Sequence, residues 1–99
     1  MLNIEKKSKS GNLEVNLKGR LDTTTAVDFE NAITPELKET MDVIIDMKDL
    51  AYISSAGLRV LVMIKKAIGA KGSIKLRDVS DEIKDVLEIT GFSTQIEME

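Results

Sequence analysis

The chain contains no cysteine and no histidine, and these two absences narrow its chemistry more than any residue that is present. They exclude disulfides, thiolate nucleophiles, Cys/His zinc sites and Ser-His hydrolases. Tryptophan is also missing, and Phe29, Tyr52 and Phe92 are the only aromatics, too few for a platform on which single-stranded bases stack. The net charge is −3 and no basic stripe stands out, which argues against nucleic acid as a main ligand. No run approaches the roughly 20 apolar residues of a membrane span. The opening Met1-Leu2-Asn3-Ile4-Glu5 lacks the apolar core of a signal peptide. These absences predict a cytoplasmic protein with no cofactor, no metal and no catalytic activity.

What remains is the composition of an ordinary globule. Ninety-nine residues, 42% hydrophobic and 31% charged, suffice for one domain over residues 1–99 and not for two. Leu2 and Ile4 alternate with polar neighbours, and Leu13-Glu14-Val15-Asn16-Leu17 alternates strictly. With Gly11 between them, they predict an opening hairpin that ends at Gly19. Arg20-Leu21-Asp22-Thr23-Thr24-Thr25 then leads into a helix, with Asp22 or Thr23 as cap and Ala26, Phe29, Ile33 and Leu37 on one face. Pro35, the one proline, either kinks this helix or starts a second turn after Thr34; a kink is the expectation.

Val43 to Met47 is apolar and β-branched, as a central strand covered on both faces would be. Leu58, Leu61, Ile64 and Ala67/Ile68 give a second helix, with Val60, Val62 and Met63 widening its apolar surface and Gly69 closing it. Ser73 to Arg77 reads as a fourth strand. Ser80 caps a third helix bearing Ile83, Val86, Leu87 and Ile89, which Gly91 stops, and Gln95-Ile96 adds a short final strand. The expected fold is α/β, a mixed sheet of four to five strands in the order ββαβαβα(β). Met41, Met47 and Met63 read as core filler, Asp46 and Asp49 as solvated loop carboxylates, and Glu97-Met98-Glu99 as a frayed end.

Between the third strand and the second helix lies Ile53-Ser54-Ser55-Ala56-Gly57. A serine there caps the leading N–H groups of the helix, and the positive end of the helix dipole makes the same place a seat for phosphate. As nucleophiles the serines lack a base: Lys65 and Lys66 stand about 15 Å further along the helix axis at about 1.5 Å per residue. Gly57 costs on the order of 1 kcal/mol against alanine in a helix. Close packing against a strand, or close approach by a partner, must offset it. The glycines at 69 and 72 lack phosphate-loop spacing and are explained by a turn. The loop Asp22-Thr23-Thr24 also follows a strand, so both loops are expected to open at one edge of the sheet.

The stretch Asp49 to Leu58, ending in Ser54-Ser55-Ala56-Gly57-Leu58, resembles the signature of the anti-sigma factor antagonists, the STAS-domain family. Gly19-Arg20-Leu21-Asp22 followed by threonines is similar to that family's lead-in to its first helix, and Ile89-Thr90-Gly91-Phe92 to its closing helix end. The resemblance implies partner switching. An unmodified antagonist binds an anti-sigma factor and frees the sigma factor. The anti-sigma factor often acts as a serine kinase on the antagonist, and a metal-dependent phosphatase reverses the modification. Counting back from Gly57, the modified serine falls on Ser55, with Ser54, standing where the family often has Asp, the second choice. Asp22, Thr23, Thr24, Ser54, Ala56, Gly57 and Arg59 would form or border the partner-binding edge. A non-switching STAS module within a larger signalling assembly is the alternative.

Overall fold

Leu13, Val15 and Leu17 are buried while Glu14 and Asn16 between them are half-exposed, and Val43, Ile45 and Met47 alternate in the same way with Ile44 and Asp46. A period of two with one apolar face is the mark of a sheet covered on one side. The computed structural model, which describes residues 2–38, 40–69, 72–92 and 96–98, bears this out. Five strands, β1 (Leu2–Lys9), β2 (Asn12–Leu21), β3 (Asp42–Ile53), β4 (Ser73–Arg77) and β5 (Glu97–Met98), lie side by side in sequence order. The first pair is antiparallel and the others are parallel.

Three helices, α1 (Thr23–Ile33), α2 (Ser55–Ile68) and α3 (Asp81–Ile89), make the crossovers. Each crossover steps one strand in the same direction, and right-handed connections of that kind put every helix on one face. A single core results, with Phe29 and Ile33 from α1, Leu61 and Ile64 from α2, and Ile83 and Leu87 from α3 meeting the inward residues of β2, β3 and β4.

The ββαβαβα(β) order is therefore found, with five strands. Several local expectations are not. β3 is covered on one face rather than two, because no crossover returns on the other side. Its outer face carries Asp46, which is thus a strand residue and not a solvated loop carboxylate. Arg77 on β4, directly across from it, donates from Nε at 3.3 Å and also bonds Glu14 on β2. Asp49 likewise lies within β3, which is 12 residues long because it bulges twice against β2, between Asn16/Lys18 and Gly19/Arg20. Gly19 does not end β2; at φ 106° it sits beside the second bulge, and the strand runs on to Leu21.

Pro35 does not kink α1. The helix stops at Ile33 and Thr34–Glu36 forms a separate 3-10 turn, with proline at its start, where its missing N–H costs nothing. Met47 is core, Met63 is half-buried and Met41 is 50% exposed, since it precedes β3 instead of lying within it. Ala67 is exposed and Ile68 takes the buried position. Ile89 is 85% exposed at the end of α3. The last strand is Glu97–Met98, paired with Lys75 and Leu76 and so not frayed. Ile96 is buried just before it, whereas Gln95 and Glu99 lie outside the described residues.

The one-sided sheet makes a direct contrast between neighbours on β3. Truncating the inward, fully buried Ile45 to Ala is expected to cost about 2–5 kcal/mol, and Ile44→Ala on the outer face less than half of that. Equal losses in urea titrations would mean that something covers the outer face.

Candidate functional site

β2 and β3 are parallel neighbours, so their carboxyl ends finish together, Leu21 opposite Ile53. Both side chains point into the core, and each chain then turns directly into a helix. The two turns are tied by a backbone bond: the Ser54 N–H donates to the Leu21 carbonyl at 2.8 Å. The two loops flagged in the sequence thus open on the same edge of the sheet, as expected.

Asp22 is the N-cap of α1. Its Oδ1 accepts from the N–H groups of Thr24 at 3.0 Å and Thr25 at 2.9 Å, while the Asp22 N–H donates to Thr25 Oγ1 at 2.9 Å. The Thr25 hydroxyl in turn donates to the Arg20 carbonyl at 2.7 Å, sewing the helix start to the end of β2. The backbone bond from Thr25, set against a smaller opposing effect of desolvation, holds the Asp22 carboxyl below its ordinary value of 3.8. Thr23 and Thr24 are exposed on the first turn.

On the neighbouring turn the two serines divide the work. Ser54, extended at φ −97° and ψ 172°, is the N-cap of α2, and its Oγ accepts from the Gly57 N–H at 3.3 Å. It is half-buried. Ser55, the first residue of the helix, is exposed, and among the described residues its hydroxyl has no hydrogen-bond partner. Ala56 is half-buried, and Arg59 is exposed one turn further on.

Gly57 is buried, and a Cβ built there would stand 2.7 Å from Leu21 Cγ and 3.1 Å from Ile53 Cγ1. Of the two explanations for this glycine, close packing against the strands is the one found. It sets the distance between α2 and the sheet, and so the height at which Ser55 stands, but presents no side chain to a partner.

Two further residues belong to this edge. Arg20 and Tyr52 are register partners one residue before Leu21 and Ile53, and therefore point to the opposite face of the sheet. The guanidinium carbon lies 4.3 Å from the ring centroid of Tyr52, which is 41% exposed. Val27, 57% exposed, continues the Thr23-Thr24 side of α1. Sequence reasoning missed all three. The available signal was that an Arg and a Tyr immediately precede the paired turns, at equivalent register.

Two predictions follow from this geometry. Gly57→Ala is expected to destabilise the fold by about 1–2 kcal/mol, the overpacking cost exceeding the gain in helix propensity; a denaturant midpoint at or above wild type would refute the packing role. Because the folded-state pKa of Asp22 is depressed, its stabilisation is present above the unfolded-state value and is lost as pH falls through the folded one. The stability gap between wild type and Asp22→Asn should therefore narrow as the pH is lowered through the ordinary aspartate range and below it. A gap independent of pH would show that the charge is irrelevant to the cap.

Comparison with known proteins places this arrangement. Residues 3–99 match the family model of the STAS domain. Over 98 residues, the chain is 29% identical to the anti-sigma-B factor antagonist of Bacillus subtilis, a match covering 98% of this chain and 90% of that protein. It is 33% identical to the anti-sigma-B factor antagonist of Staphylococcus aureus over 93 residues, 92% of this chain and 86% of that one. Among solved structures, the anti-sigma factor antagonist SpoIIAA in its unphosphorylated form superposes with a TM-score of 0.79 at 17% identity, over 100% of this chain and 87% of that one. The phosphorylated form of Bacillus SpoIIAA gives 0.75 at 16% identity, over 100% and 91%. A five-stranded mixed sheet whose two parallel central strands release a capped aspartate turn and a capped serine turn side by side, matched along nearly its whole length, makes this chain a member of the STAS-domain family.

Proposed function

We propose that this STAS domain is an anti-sigma factor antagonist: unmodified, it binds a cognate anti-sigma factor and releases the sigma factor that the latter holds. Phosphorylation of Ser55 by the serine kinase activity of that partner switches the binding off, and a metal-dependent serine phosphatase restores it. The observation that carries this reading is the division between the serines. Ser54 spends its hydroxyl on the helix cap, whereas Ser55 stands exposed beside it. The relatives described as anti-sigma-B factor antagonists support the partner class, and the solved phosphorylated form of SpoIIAA supports modification of a protein with this fold.

Magnitudes favour a switch in binding over a switch in folding. A phosphate adds about −1.5 to −2 charge, taking the net from −3 to about −5. At a helix N-terminus it gains roughly 0.3–1 kcal/mol, or about 2 when partly buried, so the domain stays folded. In a protein interface the same charge, unpaired or facing a like charge, costs several kcal/mol. About 3 kcal/mol is roughly a hundredfold in affinity. Asp22, Thr23, Thr24, Ser54, Ala56 and Arg59 ring that interface, with Gly57 beneath it.

Incubation with the cognate kinase and ATP should label wild type and not Ser55→Ala, as read by phosphopeptide mapping. Ser55→Ala should bind the anti-sigma factor like wild type, and Ser55→Asp about a hundredfold more weakly. Labelling that survives in Ser55→Ala and vanishes in Ser54→Ala would move the site by one residue. Equal binding before and after complete phosphorylation would replace the switch by a constitutive interaction module.

A further inference from the structure

Ser55 also stands at one end of a groove that the sequence does not announce. An open depression of about 660 Å³ runs along α2 and reaches the segment after α3. Its apolar surface comes from Leu58, Val62, Met63 and Phe92, of which Leu58 is buried and the other three are half-buried. Arg59 and Lys66 add charge to the lining. They lie on the same helix stripe as Ser55 and Val62, at spacings of three and four residues, and both are exposed. Among the described residues no carboxylate lines the groove, although the chain as a whole is acidic. Thr90 lines the far wall, and its neighbour Ile89 is 85% exposed.

Building on the reading of Ser55 as the switch, we infer that this groove seats an acidic amphipathic helix of the anti-sigma factor, its apolar stripe on Val62, Met63 and Phe92 and its carboxylates toward Arg59 and Lys66. From Ser55 to Lys66 the groove is about 16 Å long at about 1.5 Å per residue, the length of three helical turns. Arg59 and Lys66 are about 10 Å apart along the axis. A single-headed anionic amphiphile would want its cations gathered at one end of a closed tunnel; two cations spaced along an open rim match the repeated carboxylates of a helix face. The placement also explains the leverage of Ser55. A phosphate there stands at the mouth of the groove, one turn before Arg59, where it repels the acidic helix and engages the cation that would have received it.

Titration calorimetry and stopped-flow binding of the full chain to the cognate anti-sigma factor test this. Lys66→Glu, three turns from the serine and exposed, should weaken binding about tenfold, chiefly in the association rate, with the deficit shrinking at 0.5 M NaCl. Lys66→Arg should bind like wild type. Val62→Gln should cost about tenfold with little dependence on salt. Hydrogen exchange on the complex should protect α2 and an acidic helix of the partner. If wild type binds and Ser55→Asp does not, yet Lys66→Glu and Val62→Gln both match wild type, the groove inference fails while the serine switch stands. If wild type binds no anti-sigma factor, the earlier reading fails first. Saturable one-to-one binding of oleate in the groove, with anti-sigma factor affinity unmoved by Lys66→Glu, would also overturn the inference, in favour of an amphiphile site.

Discussion

The structure turns on the parallel pairing of β2 with β3, and above all on its last rung, Leu21 opposite Ile53, with the Ser54 N–H bonded to the Leu21 carbonyl. Parallel neighbours end on the same edge, so two helices must start there together. Each start leaves backbone N–H groups that need an acceptor. The Asp22 carboxylate and the Ser54 hydroxyl supply them within one residue of that rung. The same constraint therefore joins β2 to β3, fixes both helix origins and brings the two polar caps side by side at one edge of the sheet.

Capping also explains why two adjacent serines are not equivalent. An N-cap side chain must fold back over the first turn, and Ser54 does so from extended backbone. The next residue already has helical backbone and projects outward. Ser55 is thus available because Ser54 is occupied, and a modification at Ser55 leaves the cap in place.

The alternation in β2, a helix start at Asp22 or Thr23, another at the serine pair, a third at Ser80, and the juxtaposition of the two turns were all readable from residue types and spacing. Each is a local signal with a direct backbone cause. What escaped depended on pairing. Gly19 reads as a terminator unless one knows that β3 bulges beside it. Asp46 reads as a loop acid until Arg77 appears across the strand. Ile44 reads as doubly covered because only the sequential order of the strands reveals that all crossovers fall on one side. The Arg20–Tyr52 contact and the groove on α2 joining Leu58 to Phe92 are likewise products of tertiary neighbours, invisible to any window along the chain.

Rigidity at the junction decides where a new charge exerts its effect. A helix free to slide or tilt would relieve repulsion by moving, and the energy of phosphorylation would be lost as conformational change. Here Gly57 lies against Leu21 and Ile53 too closely for even a methyl group, and both of those side chains are buried in the core. Cores of this density do not deform gradually. The close seat of Gly57 opposes a slide of the helix toward the sheet, and the Ser54 cap does not use the Ser55 hydroxyl. In the proposed switch, the cost of a phosphate at Ser55 would then fall on the partner docked on the exposed side of α2, which is the condition for a modification to change affinity while the fold beneath it stays the same.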